Sequence, residues 1–86
     1  MMFVPVMIDD AIDDYDVFTI KTMNRWMDED DAKANAIKVR KDSRYTAGVV
    51  DENGRIYSHE WDNRRHGFVW RHFGDIDTSD LDMKSK

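Results

Sequence analysis

Hydrophobic positions along the chain alternate with two periods, and the changes of period mark its elements. Phe3-Val4-Pro5-Val6-Met7-Ile8 is an apolar run of strand length. Pro5 has no N–H to give to a ladder, so this strand is expected at a sheet edge, or paired only in part. Asp9 to Asp16 is an acidic connection, with room for one helical turn around Ala11 and Ile12. Val17 to Met23 is rich in β-branched and aromatic residues, which favours a second strand with Phe18 and Ile20 on one face. A helix through Ala11, Tyr15, Phe18, Thr22 and Trp26 also fits the spacing. Val, Thr and Ile lose χ1 freedom in a helix, and this tips the choice to a strand.

The pattern then becomes helical. Ala32, Ala36 and Val39 recur at helical spacing with Ile37 beside them. Asp28 stands where a cap belongs, and Glu29, Asp30 and Asp31 occupy the positive end of the helix dipole. Met27 and Ala32 occupy the two positions of a hydrophobic staple. Lys38, Arg40 and Lys41 suit the carbonyl end. A helix over 28–41 follows, and its alanines predict close approach to a sheet.

Period two returns at Ala47-Gly48-Val49-Val50 and continues in Arg55-Ile56-Tyr57-Ser58-His59-Glu60-Trp61. Between them lies Asp51-Glu52-Asn53-Gly54, a strong hairpin signal because Asn and Gly both tolerate positive φ. Ile56, Ser58 and Glu60 should face one way, and Tyr57, His59 and Trp61 the other. A polar loop over 62–67 leads to a strand from Gly67 to Phe73. The polar segment 75–86 is expected to fray. The order β-β-α-β-β-β defines an α+β fold, one domain over 1–74 with one main helix on a mostly antiparallel sheet. The stretch from Val17 to Trp61, a strand, a capped helix and the VVDENGRI hairpin, resembles small βαββ domains of unassigned function carried by phages and mobile elements. No residue role follows from that resemblance.

Composition narrows the function classes. The 86 residues contain no cysteine, so disulfides and thiolate metal sites are excluded. No apolar run approaches the roughly 20 residues of a membrane span, and MMFVPVMI is too short, and lacks the basic flank, for a signal peptide. A cytoplasmic protein without membrane contact is expected, in a bacterial host if phage-encoded, as a monomer or small homo-oligomer.

Charge is laid out unevenly. Residues 1–31 carry nine acids against Lys21 and Arg25, a balance of −7 within a total of −5. The nine are Asp9, Asp10, Asp13, Asp14, Asp16, Asp28, Glu29, Asp30 and Asp31. Held as one face, they would mimic phosphates and enter a basic nucleic-acid-binding groove on a protein partner. Residues 55–73 balance at +2 and hold all three histidines. Arg55, His59, Arg64, Arg65, Trp70 and Arg71, with Tyr57, Trp61, His66, His72 and Phe73 among them, could stack on bases and hold phosphates. The plainer alternative makes Trp61, Phe68 and Trp70 core and the charged groups a solvated side.

Catalysis is not expected. The histidine spacings of seven and six match no metal signature, and no serine stands in a nucleophile-elbow context. Asp75 to Ser79 begins like a calcium loop, but Asp80 replaces the glycine and Lys86 the glutamate that such a loop needs. No cofactor and no metal are expected. The foremost expectation is a small acidic interaction protein that modulates, by inhibition, a larger nucleic-acid-processing or defence complex. A nucleic-acid-binding hairpin over 55–73 is the alternative. A third reading is an assembly component that self-associates through the edge at Phe3–Ile8.

Overall fold

The fold follows from a computed structural model that describes residues 1–10, 14–40 and 45–84. The helical turn expected at Ala11 and Ile12, the carboxylate of Asp13, and Lys41 at the helix end lie outside the described residues. Five strands, β1 (Phe3–Asp9), β2 (Asp16–Thr19), β3 (Thr46–Asp51), β4 (Arg55–Asp62) and β5 (Gly67–Asp75), form one sheet in the order β2-β1-β3-β4-β5. Every pairing is antiparallel. One helix, α1 (Glu29–Arg40), enters between β2 and β3, and a 3₁₀ turn at Thr78–Asp80 follows β5.

β1 lies inside the sheet, so it offers no edge for self-association; the free edges belong to β2 and β5. Pro5 is accommodated by partial pairing. Phe3 exchanges both backbone hydrogen bonds with Met27, at 2.8 Å each, on the β2 side. Alternate residues point their backbone the same way, so Pro5 also faces that side. The β1–β2 ladder runs from Asp9–Asp16 to Val6–Thr19 and stops there. The next partner of Pro5 would be Ile20, and Pro5 has no N–H to hold it. The second strand therefore ends at Thr19 rather than Met23, and Met23 N–H closes a turn onto the Ile20 carbonyl at 2.8 Å. Phe18 is exposed, and Ile20, just past the end of the strand, is buried.

Both faces of the central strands are covered. On one, Phe3, Ala47 and Val49 pack against Ala32 and Ala36 of α1, with Met27, Tyr57 and Trp70 at the margin. The two alanines are the reason the helix comes so close: a side chain of one carbon lets helix and sheet backbones approach. Met27 packs at the margin of the cluster that contains Ala32. On the other face Val4, Val6, Ile8, Val50 and Ile56 form a second cluster. Gly48 belongs beneath it, because a Cβ there would stand 2.6 Å from Ile8 Cδ1.

The segment expected to fray closes this second cluster. Leu81 is buried in it, with Ile76 and Met83 packed alongside. Main-chain bonds fasten the segment: Lys84 N–H to the Asn24 carbonyl at 2.8 Å, Ile76 N–H to the Gly54 carbonyl at 2.8 Å, and the Asp82 carbonyl accepting from Thr19 Oγ1 at 2.8 Å. Three apolar residues at 76, 81 and 83, spaced among acids, are enough to cap a small sheet. Asp77 starts the 3₁₀ turn by accepting from Ser79 N–H and Oγ, which holds its carboxyl below the usual range.

The β3–β4 turn differs in detail from a two-residue Asn-Gly turn. Gly54 N–H bonds the Asp51 carbonyl at 3.0 Å, and the buried Asp51 side chain accepts from the Asn53 and Arg55 N–H groups. Only Gly54 of this turn has positive φ, at 86°.

Candidate functional site: the β4–β5 arm

β4 has two neighbours along one part of its length and one along the rest. Its ladder with β3 covers Ile56–Val50 to Ser58–Gly48, whereas its ladder with β5 continues to Asp62–Gly67. Residues 59–62 and 67–70 thus form a two-stranded arm beyond the last β3 pair. The faces of β4 are as the alternation predicts. Ile56 and Ser58 are buried on the Leu81 side, and Ser58 Oγ donates to Glu60 Oε2. Tyr57, His59 and Trp61 share the helix side.

Directly opposite pairs place Tyr57 against His72, His59 against Trp70, and Trp61 against Phe68. Their rings form a ladder: His59 stacks on Phe68 with centroids 4.6 Å apart and lies 4.7 Å from Trp70, and Trp61 meets Phe68 edge-on at 5.4 Å. The helix adds two cations. Lys33 Nζ lies 5.3 Å from the Trp70 ring centre, and the Arg40 guanidinium lies 5.1 Å from that of Phe68. Lys33 also pairs with Glu29 one turn earlier. His59 Nδ1 is buried with no hydrogen-bond partner among the described residues, and burial, then the Arg40 charge, push the imidazole below its ordinary pKa.

At the tip, Asp62 organises the loop. Its Oδ1 accepts from the Arg64 N–H at 2.9 Å and the Arg65 N–H at 3.4 Å; its Oδ2 accepts from Arg71 Nη2 at 2.8 Å. His66 takes left-handed φ, 52°, to return the chain to β5. Trp61 Nε1 donates to Asn63 Oδ1 at 2.8 Å, which fixes the indole. Trp61, Asp62, Asn63, Arg64, Arg65 and Arg71 line an open cleft of about 520 Å³. Trp61 is 53% exposed and Phe68 47%.

Of the basic and aromatic residues singled out in the sequence, Arg64, Arg65 and Arg71 converge here, with His59 and Trp70 further down the arm. Arg55 does not join them: it pairs with Asp75 at the far end of β4, about 23 Å away at ~3.3 Å per residue. Phe73 turns to the Leu81 cluster instead, behind a bulge in the β4–β5 register. Phe68 and Asn63 were absent from the sequence-based set, as were the helix cations Lys33 and Arg40. Phe68 was legible only as the partner of Trp61 across the loop.

Among the described residues the acids do not form one face. Asp9 and Asp16 pair at one end of the β1–β2 ladder, with Asp10 and Asp14 adjoining in sequence. Asp28 to Asp31 sit at the start of α1, next to Met27, which bridges to Phe3 at the opposite end of β1. Seven residues of strand, about 20 Å, separate the groups. The helix group is explained locally: the Asp28 carbonyl accepts from Ala32 N–H, Glu29 pairs with Lys33, and the charges suit the helix dipole. Among the described residues, no group of three or more His, Asp or Glu is placed to hold a metal ion.

Comparison with protein-family models, with curated proteins and with solved structures finds no match. Among the described residues, no helix is long and apolar enough to cross a membrane.

Proposed function

We propose that this protein is a non-enzymatic binding module whose working surface is the β4–β5 arm. The observation that carries this is the pairing of Trp61 and Phe68 at the arm's tip, about half exposed, beside Arg64, Arg65 and Arg71. Trp61 and Phe68 belong to neither core cluster, so these rings do little for the core. Large aromatics left in water on a stiff projection, rimmed by arginines, have the composition of an interaction hot spot. A two-stranded arm held by ring contacts loses little conformational freedom on binding, which favours affinity.

Inhibition of a nucleic-acid-processing or defence complex through the carboxylates is the second reading. It draws on the charge block and would use either acid group separately rather than one array. A single experiment tests both. A photo-crosslinking residue is placed at Phe68, or at Asp31, in cells that produce the protein. Adducts formed from Phe68 and not from Asp31 are expected. Adducts from Asp31 alone would overturn the arm as the working surface.

A further inference from the structure

We infer that the arm's tip takes single-stranded nucleic acid, with a phosphate in the cleft lined by Arg64, Arg65 and Arg71 and a base against the Trp61 ring. This deepens the proposal above and rests on the arm being the working surface. Three guanidiniums against one carboxylate, Asp62, leave the cleft with two surplus positive charges. An occupant must therefore be anionic, and forked N–H donors match phosphate oxygens well.

The indole separates nucleic acid from an acidic peptide. Trp61 Nε1 is already committed to Asn63, so the ring has no donor left to offer. What remains is an exposed aromatic surface in a fixed orientation, suited to stacking on a flat group. Carboxylate side chains would satisfy the arginines and leave that surface unused; a nucleotide satisfies both. Stacking needs an unpaired base, which excludes duplex. The rest of the molecule points the same way. Asp9 and Asp16 end their strands on the side of the sheet from which the arm projects, and the chain carries −5 overall. A long polyanion is repelled there, whereas a short single strand reaching only the tip is not.

The test is fluorescence anisotropy of the full chain with a labelled oligothymidylate of about twelve nucleotides, within the usual footprint of such sites. A duplex of equal length and a poly-glutamate peptide serve as competitors. Binding on the order of micromolar at low salt is expected, with a log–log salt slope of about −1.4, for two phosphates matched to the two surplus charges at about 0.7 each. R64A/R65A together should weaken binding at least ~10-fold, and W61A by ~10-fold, the scale of one lost base stack. R55A removes the same charge at the far end of β4 and should change little. All these side chains are exposed, and circular dichroism melts confirm that each variant is folded.

No binding at low salt overturns the inference, as does an equal loss in R55A, or a W61A variant that binds like the parent. Competition by poly-glutamate that exceeds competition by unlabelled single strand assigns the tip to an acidic protein instead. If oligonucleotide fails while Phe68 crosslinks to a protein, the arm stands and only the ligand class falls. If Phe68 forms no adduct either, both fall.

Discussion

β1 and the outer half of β4 both carry large apolar side chains in one sheet, yet one is sealed and the other is wet. In β1, residues Phe3 through Val6 are buried on both sides of the strand, because α1 covers one face and the Leu81 segment the other. In β4, Trp61 occupies a position as regular as that of Val6, and more than half of its surface faces solvent. The difference is not in the strand itself but in its neighbours. The β3–β4 ladder ends at Gly48–Ser58, and among the described residues no third strand pairs with the hairpin past it. A two-stranded ribbon is marginal alone. Here ring contacts within the arm, and Lys33 and Arg40 from α1, supply what a third strand would. The sealed half provides stability and the wet half provides a surface.

Three substitutions probe that division, beginning with the largest effect. Gly54→Ala should strike the sealed half hardest. At φ 86° an alanine is strained, and its Cβ would fall 2.0 Å from the Ile76 carbonyl oxygen. A loss of about 3 kcal/mol or more is expected from left-handed strain plus a broken closure. Denaturant melts would show it as a lower midpoint, and an unchanged midpoint would mean that the Gly54–Ile76 contact contributes nothing. Leu81→Ala comes next. Its burial in the Val4–Val6–Ile8 cluster predicts a cost of about 2–3 kcal/mol. Hydrogen exchange should then quicken at residues 76–84 before it does in β1, and protection there equal to the parent would contradict the closing role.

The smallest effect belongs to the arm and is set by pH. His59 holds its proton less readily when folded than the usual imidazole near 6.5. Below that value the unfolded chain binds more protons than the folded one, so stability falls as pH drops through 6.5 and is complete above it. A modest decline in melting temperature between about pH 7.5 and 5 is expected, and His59→Phe should flatten it. A parent profile identical to that of His59→Phe would remove His59 as its source.

The helix and the β3–β4 hairpin were readable in the sequence because their signals are local. A cap, a staple, dipole-matched charges and a glycine turn each act within a few residues, and α1 falls within the 28–41 predicted from them. The sides of β4 were readable for the same reason. Exposure was not: whether Trp61 is core or surface depends on how far β3 runs beside it, which alternation does not encode. Pro5 was legible as an interruption but not as one that trims a neighbouring strand inside the sheet. The closing segment was hidden by composition, since Leu81 and Met83 stand among acids and only a three-dimensional gap over Ile8 and Val50 gives them a destination. The two acid groups share a sequence block and are parted by the length of β1.

The docked stretch after Asp75 also makes the molecule vulnerable to trimming. A protease that clipped the chain there would strip the lid from Val4, Val6, Ile8, Val50 and Ile56 in one cut. The remaining piece would keep its sequence through β5 but present an oily sheet to every other copy in solution. Precipitation, rather than gentle loosening, is the fate such a fragment should meet.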